Sequence, residues 1–231
     1  MTDFPRYAIY YAPPADAPLA RFGAAVLGYD ALTGNDMPFP AAVSAAFPDW
    51  PELTTDPRRY GFHATLKAPF ALAAGTNEAA LIAAFDRFAA MPRAIPTIAP
   101  VVRLVGGFIA IVAAEPVAAL HALAQDCVET FDPMRAPMSA ADRARRRPEK
   151  LTPRQTEQLD RYGYPFVHDD FMFHMTLTSR LPPERGEKVL AMLQKQFDAL
   201  ALSALRIDRI ALFRQDDAQA RFRVLREAPL N

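Results

Sequence analysis

The chain has 231 residues, enough for one large domain or two small lobes with a buried core. Its 26 basic and 26 acidic residues cancel, which argues against a strongly basic nucleic-acid-binding protein but leaves room for a local basic patch. A single cysteine excludes an intrachain disulfide. There is no apolar signal core and no run of about 20 apolar residues, so we expect a cytoplasmic protein that does not enter a membrane.

The first half of the chain reads as strand, helix, long connection, strand, helix and strand. The predicted elements are a strand over 7–12, a helix capped by Asp16 and ended by Gly28, a short helix near 41–47, a strand over 60–68, a helix capped by Thr76 and ended by Pro92, and a strand over 98–105. The intervening segment 29–58 is rich in proline and predicts a long connection.

The same order of elements starts again after a predicted Gly106-Gly107 hairpin turn. The predicted elements of the second half are a strand over 108–113, a helix over 117–131, a long connection over 132–168, a strand over 171–180, a helix over 184–200, and strands over 205–213 and 221–226. Within the long connection, Thr152 and Gln155 form a capping box that predicts a helix.

The repeated order predicts a duplicated α+β unit. We expect one bilobal domain over 1–231, with a first lobe over 1–105 and a second lobe over 106–231. The second lobe would carry a helical insertion at about 132–168.

The second strand of each half contains the tetrapeptide His-x-Thr-Leu, at residues 63–66 and 174–177. Alternation along a strand puts an apolar row on one face and a polar row on the other. The polar rows are His63, Thr65 and Lys67 in the first strand, and Met172, His174, Thr176, Thr178 and Arg180 in the second. A row of imidazole, hydroxyl and cation suits a phosphate and suits a hydrophobic core badly.

Cleavage of a cyclic phosphodiester needs one group that takes a proton from water and another that gives a proton to the leaving oxygen. Histidine does both near neutral pH, so His63 and His174 are the candidate catalytic pair. Hydroxyls at Thr65 and Thr176 can bind the non-bridging oxygens. Lys67 and Arg180 can offset the charge of the phosphoryl group. The scheme uses no metal and no other cofactor, so we expect none.

Three strings resemble the 2H phosphoesterase superfamily, which includes RNA 2′,3′-cyclic phosphodiesterases and bacterial 2′–5′ RNA ligase-like proteins. They are RYGFHATLKAPF at 59–70, GYPF at 163–166 and FHMTLT at 173–178. Within the superfamily they resemble the DUF1045-like branch of proteins associated with phosphonate metabolism.

The resemblance implies two antiparallel-rich sheets that flank a V-shaped central cleft, with helices outside. It implies that His63 and His174 act as acid and base, and that Thr65 and Thr176 bind phosphate. It further implies a small phosphorylated substrate such as a cyclic nucleotide or a cyclic ribose phosphate.

The sequence therefore predicts a metal-independent phosphodiesterase that hydrolyses a small cyclic phosphate. One alternative is a non-catalytic module on the same fold that binds an RNA end or a nucleotide. Another is a metal-dependent hydrolase, because His168, Asp170 and His174 would share a face of a continued strand. The sequence does not decide which histidine is the base, nor the oligomeric state.

Several other residues have two interpretations each. Tyr10, like Tyr7, Tyr11 and Trp50, either stacks on a base or sugar of the substrate or packs in the core. The segment 143–147 holds four arginines and is either an anion clamp or a solvated helix face. His121 and Cys127 lie beside the apolar face of a predicted helix, which favours structural roles for both.

Overall fold

The computed structural model describes residues 4–231, which form eleven strands and nine α-helices. The strands are β1 Arg6–Tyr11, β2 Tyr29–Asp30, β3 Asn35–Asp36, β4 Ala64–Ala71, β5 Thr97–Ile98, β6 Pro100–Val105, β7 Phe108–Ala113, β8 His174–Thr176, β9 Leu205–Arg206, β10 Arg209–Gln215 and β11 Arg223–Pro229. The helices are α1 Pro18–Leu27, α2 Ala41–Ala46, α3 Trp50–Leu53, α4 Thr55–Arg58, α5 Glu78–Ala90, α6 Ala118–Phe131, α7 Ala140–Arg145, α8 Pro153–Tyr162 and α9 Pro183–Asp198. None of the helices within this range is both long and apolar enough to cross a membrane.

Seven strands form one antiparallel sheet in the order β11-β10-β1-β4-β8-β7-β6. The predicted α+β class with antiparallel strands is confirmed. The two sheets expected on either side of a cleft are joined edge to edge, because β4 and β8 pair through Ala64 and Met175. The two motif strands therefore lie side by side at the centre of a continuous sheet.

Strand exchange links the two sequence halves. β6 from the first half pairs with β7, and β10 from the second half pairs with β1. The β6–β7 hairpin closes at Gly106 and Gly107, whose φ angles of 53° and 97° suit a tight hairpin turn and confirm the predicted turn. The side of the sheet with β1 and β4 thus contains β10 and β11 from the second half, and the side with β7 and β8 contains β6 from the first half.

The main core lies between the sheet and helices including α5, α6 and α9, which contact the strands. On β1, Tyr7 and Tyr11 point into this core, whereas Tyr10 belongs to a smaller apolar cluster on the opposite face. Trp50 is fully buried and its indole Nε1 donates to the Val26 carbonyl at 2.8 Å. Tyr7, Tyr11 and Trp50 are therefore core residues.

Several helix and strand ends differ from the prediction. Helix α1 begins after Ala17 rather than at a cap on Asp16, although Gly28 ends it as expected with a φ of 71°. The cap of α5 is Asn77, not Thr76, because its side chain accepts from the Ala80 amide at 2.9 Å. The predicted Thr152 capping box of α8 is confirmed, within a connection that also contains α7.

The second motif strand is much shorter than predicted. Only His174–Thr176 is a strand, whereas the expectation was 171–180. A turn of 3₁₀ helix over His168–Asp170 occupies the approach to it. After Thr176 the amides of Leu177 and Thr178 both donate to the Ile109 carbonyl, at 2.8 and 3.3 Å, and this bulge ends the regular pairing.

Candidate active site

The two motifs meet where β4 and β8 pair. Ala64 lies opposite Met175 in an antiparallel register, and both are completely buried. In an antiparallel pair, the residue before Ala64 lies beside the residue after Met175, and the residue after Ala64 lies beside the residue before Met175. The side chains of these four neighbours point to the face opposite those of Ala64 and Met175. The register therefore brings the histidine of each motif next to the threonine of the other.

Both imidazoles are held in the same way. His63 Nδ1 donates to the Gly61 carbonyl at 2.9 Å, and His174 Nδ1 donates to the Met172 carbonyl at 2.8 Å. Because a carbonyl can only accept, each neutral ring carries its proton on Nδ1 and a lone pair on Nε2. His63 Nε2 lies 3.3 Å from the Thr65 hydroxyl. The reactive nitrogen of each motif is thereby left for chemistry.

The carbonyl that holds His63 depends on a glycine. Gly61 has a φ of 77°, in the left-handed region that favours glycine. A Cβ at this position would lie 2.5 Å from the Cβ of Ala31. The sequence analysis did not predict that Gly61 positions His63. The signal that could have indicated it is a glycine two residues before the histidine.

The surroundings of the two histidines differ. The His63 ring is stacked on Tyr10, with ring centroids 3.8 Å apart and planes 23° apart, and Phe213 lies 6.0 Å away. His174 has one ring neighbour among the described residues, Phe108 at 5.8 Å. Tyr10 thus packs against His63 inside the protein. This agrees with the interpretation of Tyr10 as a packing residue and not with direct stacking on a substrate.

These surroundings change the protonation of both rings. Burial lowers the pKa of His63 to about 4. The charge on His174 lowers this pKa further, and the hydrogen bond to the Gly61 carbonyl partly opposes the shift. Burial also lowers the pKa of His174, partly opposed by the Met172 carbonyl. The charge of His174 acts on His63, so the two imidazoles lie near one another.

A cavity of about 280 Å³ opens beside the paired motifs. Of the residues predicted from the sequence, Thr65, His174 and Arg180 are in its wall. Phe108 and Tyr164 supply aromatic surface. This space is smaller than most drug-sized pockets and suits a small ligand.

Lys67 does not share the face of Thr65. Tyr10 pairs with Thr65, and the residue before it in β1, Ile9, pairs with Lys67. Leu66 therefore has no partner in β1 and is an extra residue in β4. Paired residues point to the same face of a sheet. Thr65 therefore follows Tyr10, whereas Lys67 follows Ile9 into the helix-covered core, and the prediction of a His63-Thr65-Lys67 row is wrong at its third member.

Buried in that core, Lys67 forms an ion pair. Its Nζ lies 3.1 Å from the Asp132 carboxylate and 3.2 Å from the Val128 carbonyl, and its side chain is 3% exposed. Burial alone would raise the pKa of Asp132, but Arg135 and Lys67 together lower it. Lys67 thus neutralises a carboxylate on the helix side of the sheet.

The second motif keeps its cation near the cavity. Arg180 is in the cavity wall and donates from Nη1 to the Gly106 carbonyl. Thr176 pairs with Ala110 on β7 and lies on the same side of the sheet as His174. Thr178 is fully buried, and its hydroxyl accepts from the Ile109 amide at 3.0 Å, so this member of the predicted row supports the fold.

Residues 65–223 match the family described as "Protein of unknown function (DUF1045)". The chain belongs to the DUF1045 family. This confirms the branch that the sequence strings resemble.

Two curated relatives of this DUF1045 chain are named ribose 1,5-bisphosphate phosphokinase PhnN. The protein from Janthinobacterium sp. (strain Marseille) is 36% identical over 226 residues, which are 94% of this chain and 49% of the relative. The protein from Laribacter hongkongensis (strain HLHK9) is 34% identical over 225 residues, 96% of this chain and 51% of the relative. The chain spans about half the length of the curated relatives it matches.

Solved structures resemble the DUF1045 chain at a lower level. E. coli LigT complexed with 3′-AMP aligns over 99% of both chains, with 14% identity and a TM-score of 0.44. A conserved protein of unknown function from Agrobacterium tumefaciens str. C58, ATU0111, covers 96% of this chain and 85% of its own, with 16% identity and a TM-score of 0.46. Similarity of this size says nothing about the ligand of this chain.

His168 lies beside the cavity of the DUF1045 chain without a hydrogen-bond partner for its buried ring nitrogen, Nε2. Its ring is packed edge-on against Tyr162. Asp170, the carboxylate considered for a metal site, accepts instead from Arg154 at 2.8 Å and from Gln155 at 3.1 Å. Among residues 4–231, no three His, Cys, Asp or Glu side chains converge as metal ligands.

The other candidate residues either support the fold or lie at the surface. In the arginine segment, Arg143 pairs with Asp160 at 2.6 Å, and the Arg146 guanidinium lies 5.4 Å from the Tyr164 ring. Cys127 is buried in the core, as expected, and burial raises the pKa of its thiol. His121 packs edge-on against Phe171, in agreement with a structural role.

Proposed function

We propose that this DUF1045 chain is a metal-independent phosphodiesterase that hydrolyses a small cyclic phosphate by two-histidine acid–base catalysis. The observation that carries the proposal is the pairing of Ala64 with Met175, which sets two His-x-Thr motifs side by side with opposite polarity. Each histidine is oriented by the carbonyl two residues earlier, which leaves both Nε2 atoms without a backbone partner. His174 is in the cavity wall, and Thr65, which is 3.3 Å from His63 Nε2, is in the same wall. Such a pair supplies both proton transfers that the reaction needs.

His63 is the proposed base. The stacked Tyr10 ring and the surrounding aromatic side chains hold its pKa at about 4, so the ring is neutral at physiological pH. Its Nδ1–H is fixed by the Gly61 carbonyl, which leaves the Nε2 lone pair to take a proton from the attacking water.

His174 is the proposed acid. It lies in the cavity wall, where an anionic phosphate favours its protonated form, and its Nε2–H then protonates the departing alkoxide. The hydroxyls of Thr65 and Thr176 bind the non-bridging oxygens, and Arg180 offsets the charge that develops on the phosphoryl group. Water adds to phosphorus as one ester P–O bond breaks, which leaves a phosphate monoester.

The proposed substrate class is a cyclic phosphate of ribose or of a nucleoside. A phosphorylated ribose is the substrate in the name of the two relatives, and this supports a pentose in the site. The resemblance to phosphonate-associated proteins suggests phosphonate catabolism as the setting and the cytoplasm as the location. The small cavity supports a compact molecule rather than a long chain.

The test is a screen of 2′,3′-cyclic nucleotides and ribose cyclic phosphates, with products identified by ³¹P NMR. We expect a ring-opened phosphate monoester from at least one compound, formed in EDTA. His63→Ala and His174→Ala should each abolish that product above background. Tight binding of cyclic phosphates or RNA ends with no turnover would overturn the proposal and favour a non-catalytic binding module.

A further inference from the structure

A second and larger cavity, of about 830 Å³, lies next to the candidate active site. Its wall includes Arg6, Arg59 and Arg146, which come from β1, from the end of α4 and from the end of α7. Tyr60 is also in this wall, and its ring centroid is 6.1 Å from that of His63. Residues distant in sequence thus line one cavity with three guanidinium groups, and Tyr60 in the same wall lies near the proposed base.

The three guanidinium groups lack an ionic partner. Within the range 4–231, no carboxylate lies at ion-pair distance from Arg6, Arg59 or Arg146. Arg6 instead donates to the Gln215 side-chain oxygen, and Arg59 Nη2 donates to the Ala218 carbonyl at 2.8 Å. Neutral acceptors fix these side chains without cancelling their charge.

The two acidic residues in the wall are occupied elsewhere. Asp142 pairs with Arg145, one turn along α7. Asp217 accepts from the backbone amides of Gln219 and Ala220, at 2.8 and 2.9 Å. Arg135, a further cation in the wall, pairs with Asp132. The backbone amides do not cancel the charge of Asp217, so one carboxylate in the wall only partly balances the three guanidinium groups.

The charges of Arg59 and Arg146 act on Arg6, which lines the same cavity. Burial lowers the pKa of Arg6, and the charges of Arg146 and Arg59 add to that effect, against partial opposition from Tyr60 and Tyr10. Converging like charges destabilise a folded chain unless an anion is bound between them.

The cluster also borders the proposed catalytic cavity. The guanidinium of Arg146 lies 5.4 Å from the centre of the Tyr164 ring, and Tyr164 is in the cavity wall together with His174. The charges of Arg6 and Arg146 act on Tyr10, the ring stacked on His63; burial raises its pKa, and these two charges partly oppose the rise. The contact between Arg146 and Tyr164 thus joins the wall of one cavity to the wall of the other.

We propose that Arg6, Arg59 and Arg146 form a second anion site, which binds a phosphate monoester on the same substrate molecule, remote from the diester that the histidines would cleave. This rests on the proposed function and names its substrate class: a cyclic phosphate that carries a second phosphate group. Guanidinium groups bind phosphate oxygens in pairs with good geometry, and three converging groups match a single phosphate. A nucleic-acid strand would need a basic track, and the zero net charge of the chain does not favour one.

The first test uses two cyclic phosphates that differ in one group: adenosine 2′,3′-cyclic phosphate with and without a 5′-phosphate. The wild-type protein should prefer the 5′-phosphorylated compound by roughly 10²-fold in kcat/KM, since charge-assisted hydrogen bonds to phosphate are lost without it. Arg59→Gln and Arg146→Gln should each reduce this preference roughly 10-fold. Both side chains are exposed, so the variants should fold.

The matched control is Arg143→Gln, one turn before Arg146 and paired with Asp160 away from the cluster. It should leave the preference unchanged. Hydrolysis of both compounds at equal kcat/KM by the wild-type protein would overturn the second anion site while leaving the proposed function intact. A preference that grows with the length of a 5′-phosphorylated oligoribonucleotide would replace it with a nucleic-acid track.

The second test separates the anion site from catalysis. Calorimetric titration with inorganic phosphate is compared for the wild-type protein, an Arg59→Gln/Arg146→Gln double variant and a His63→Ala/His174→Ala double variant. We expect binding to survive in the histidine variant and to weaken at least 10-fold in the arginine variant. This result would support the site even if no cyclic phosphate were hydrolysed. Binding lost only in the histidine variant, or absent from the wild-type protein, would overturn it.

Discussion

The first motif is followed by Lys67 and the second by Arg180, and the structure puts these two cations in different surroundings. Lys67 points into the helix-covered core and pairs with Asp132, whereas Arg180 lies in the cavity wall. The cause is local: the extra residue Leu66 in β4 turns Lys67 to the other face. Two strands with equivalent tetrapeptides therefore supply different sets of side chains to the same site.

The histidines show the same asymmetry in another form. Both are oriented by the carbonyl two residues earlier, but His63 is packed against Tyr10 and Phe213, while His174 lies in the cavity wall. Acid–base catalysis needs two groups in opposite protonation states. Unequal packing around equal motifs is a physical way to produce that difference.

Removal of either imidazole should have the largest effect. His63→Ala and His174→Ala should each lower kcat by roughly 10²- to 10⁴-fold, because each removes one proton transfer. The double variant should be no slower than the slower single variant, since partners in one mechanism are not additive. His121→Ala is the matched control and should stay within roughly 2-fold of wild type. Multiplying losses in the double variant would mean that the two rings act separately.

A pH-dependent stability should identify the packed histidine. The pKa of His63 is lowered from 6.5 to about 4 in the folded protein, so the unfolded chain binds more protons between these values. Its contribution to stability is complete above pH 6.5 and is lost as the pH falls toward 4, by about 3 kcal/mol at most. Urea unfolding from pH 7 to 4 should show this loss, and His63→Asn should reduce it to the part that His174 contributes. An unchanged slope in the variant would contradict the packing of His63.

Substitution of each cation by methionine should show which one acts in the site and which one supports the fold. Arg180→Met should lower kcat/KM roughly 30-fold at unchanged stability, because it removes a charge near the phosphoryl group. Lys67→Met should instead destabilise the fold by about 1–3 kcal/mol, because Asp132 and the Val128 carbonyl lose a buried donor. Activity per folded molecule should persist in Lys67→Met. Activity assays and urea unfolding of both variants measure this; the opposite pattern would return Lys67 to the site.

Thr65 and Thr178 should show the same separation between activity and stability, with smaller effects. Thr65→Val should lower kcat/KM roughly 10-fold, since one hydroxyl to a phosphate oxygen is lost. Thr178→Val should leave kcat/KM near wild type and destabilise the protein by about 1–2 kcal/mol, because the buried Ile109 amide loses its acceptor. Thermal unfolding and steady-state rates of the two variants provide the check. A stability loss at Thr65 without a change in rate would remove it from the phosphate site.

The sequence predicted much of this molecule because its signals were local and repeated. Short runs of apolar residues, bounded by turn residues, predicted β1, β6 and β7, and the Gly106-Gly107 turn predicted the hairpin. The Thr152 capping box located α8. Each of these features depends on neighbours in the chain, which a sequence shows directly.

The remaining features depend on contacts between distant segments. The bulge at Leu66 follows from the pairing of β1 with β4, and alternation alone could not reveal that Lys67 faces Asp132. The exchange of β6 and β10 between the sequence halves is likewise a matter of tertiary pairing. The cluster around Arg6 joins three segments, and only the fold brings them together.

A pH–rate profile of kcat/KM for a cyclic phosphate, recorded with and without EDTA, tests the central claim most directly. The two-histidine account predicts a bell whose rising limb lies near pH 4, as His63 loses its proton, and whose falling limb lies below pH 6.5, as His174 loses its own. The whole profile should be unchanged by EDTA. Loss of activity in EDTA with recovery in Zn²⁺ or Mn²⁺ would contradict the account, because the rising limb would then belong to a metal-bound water.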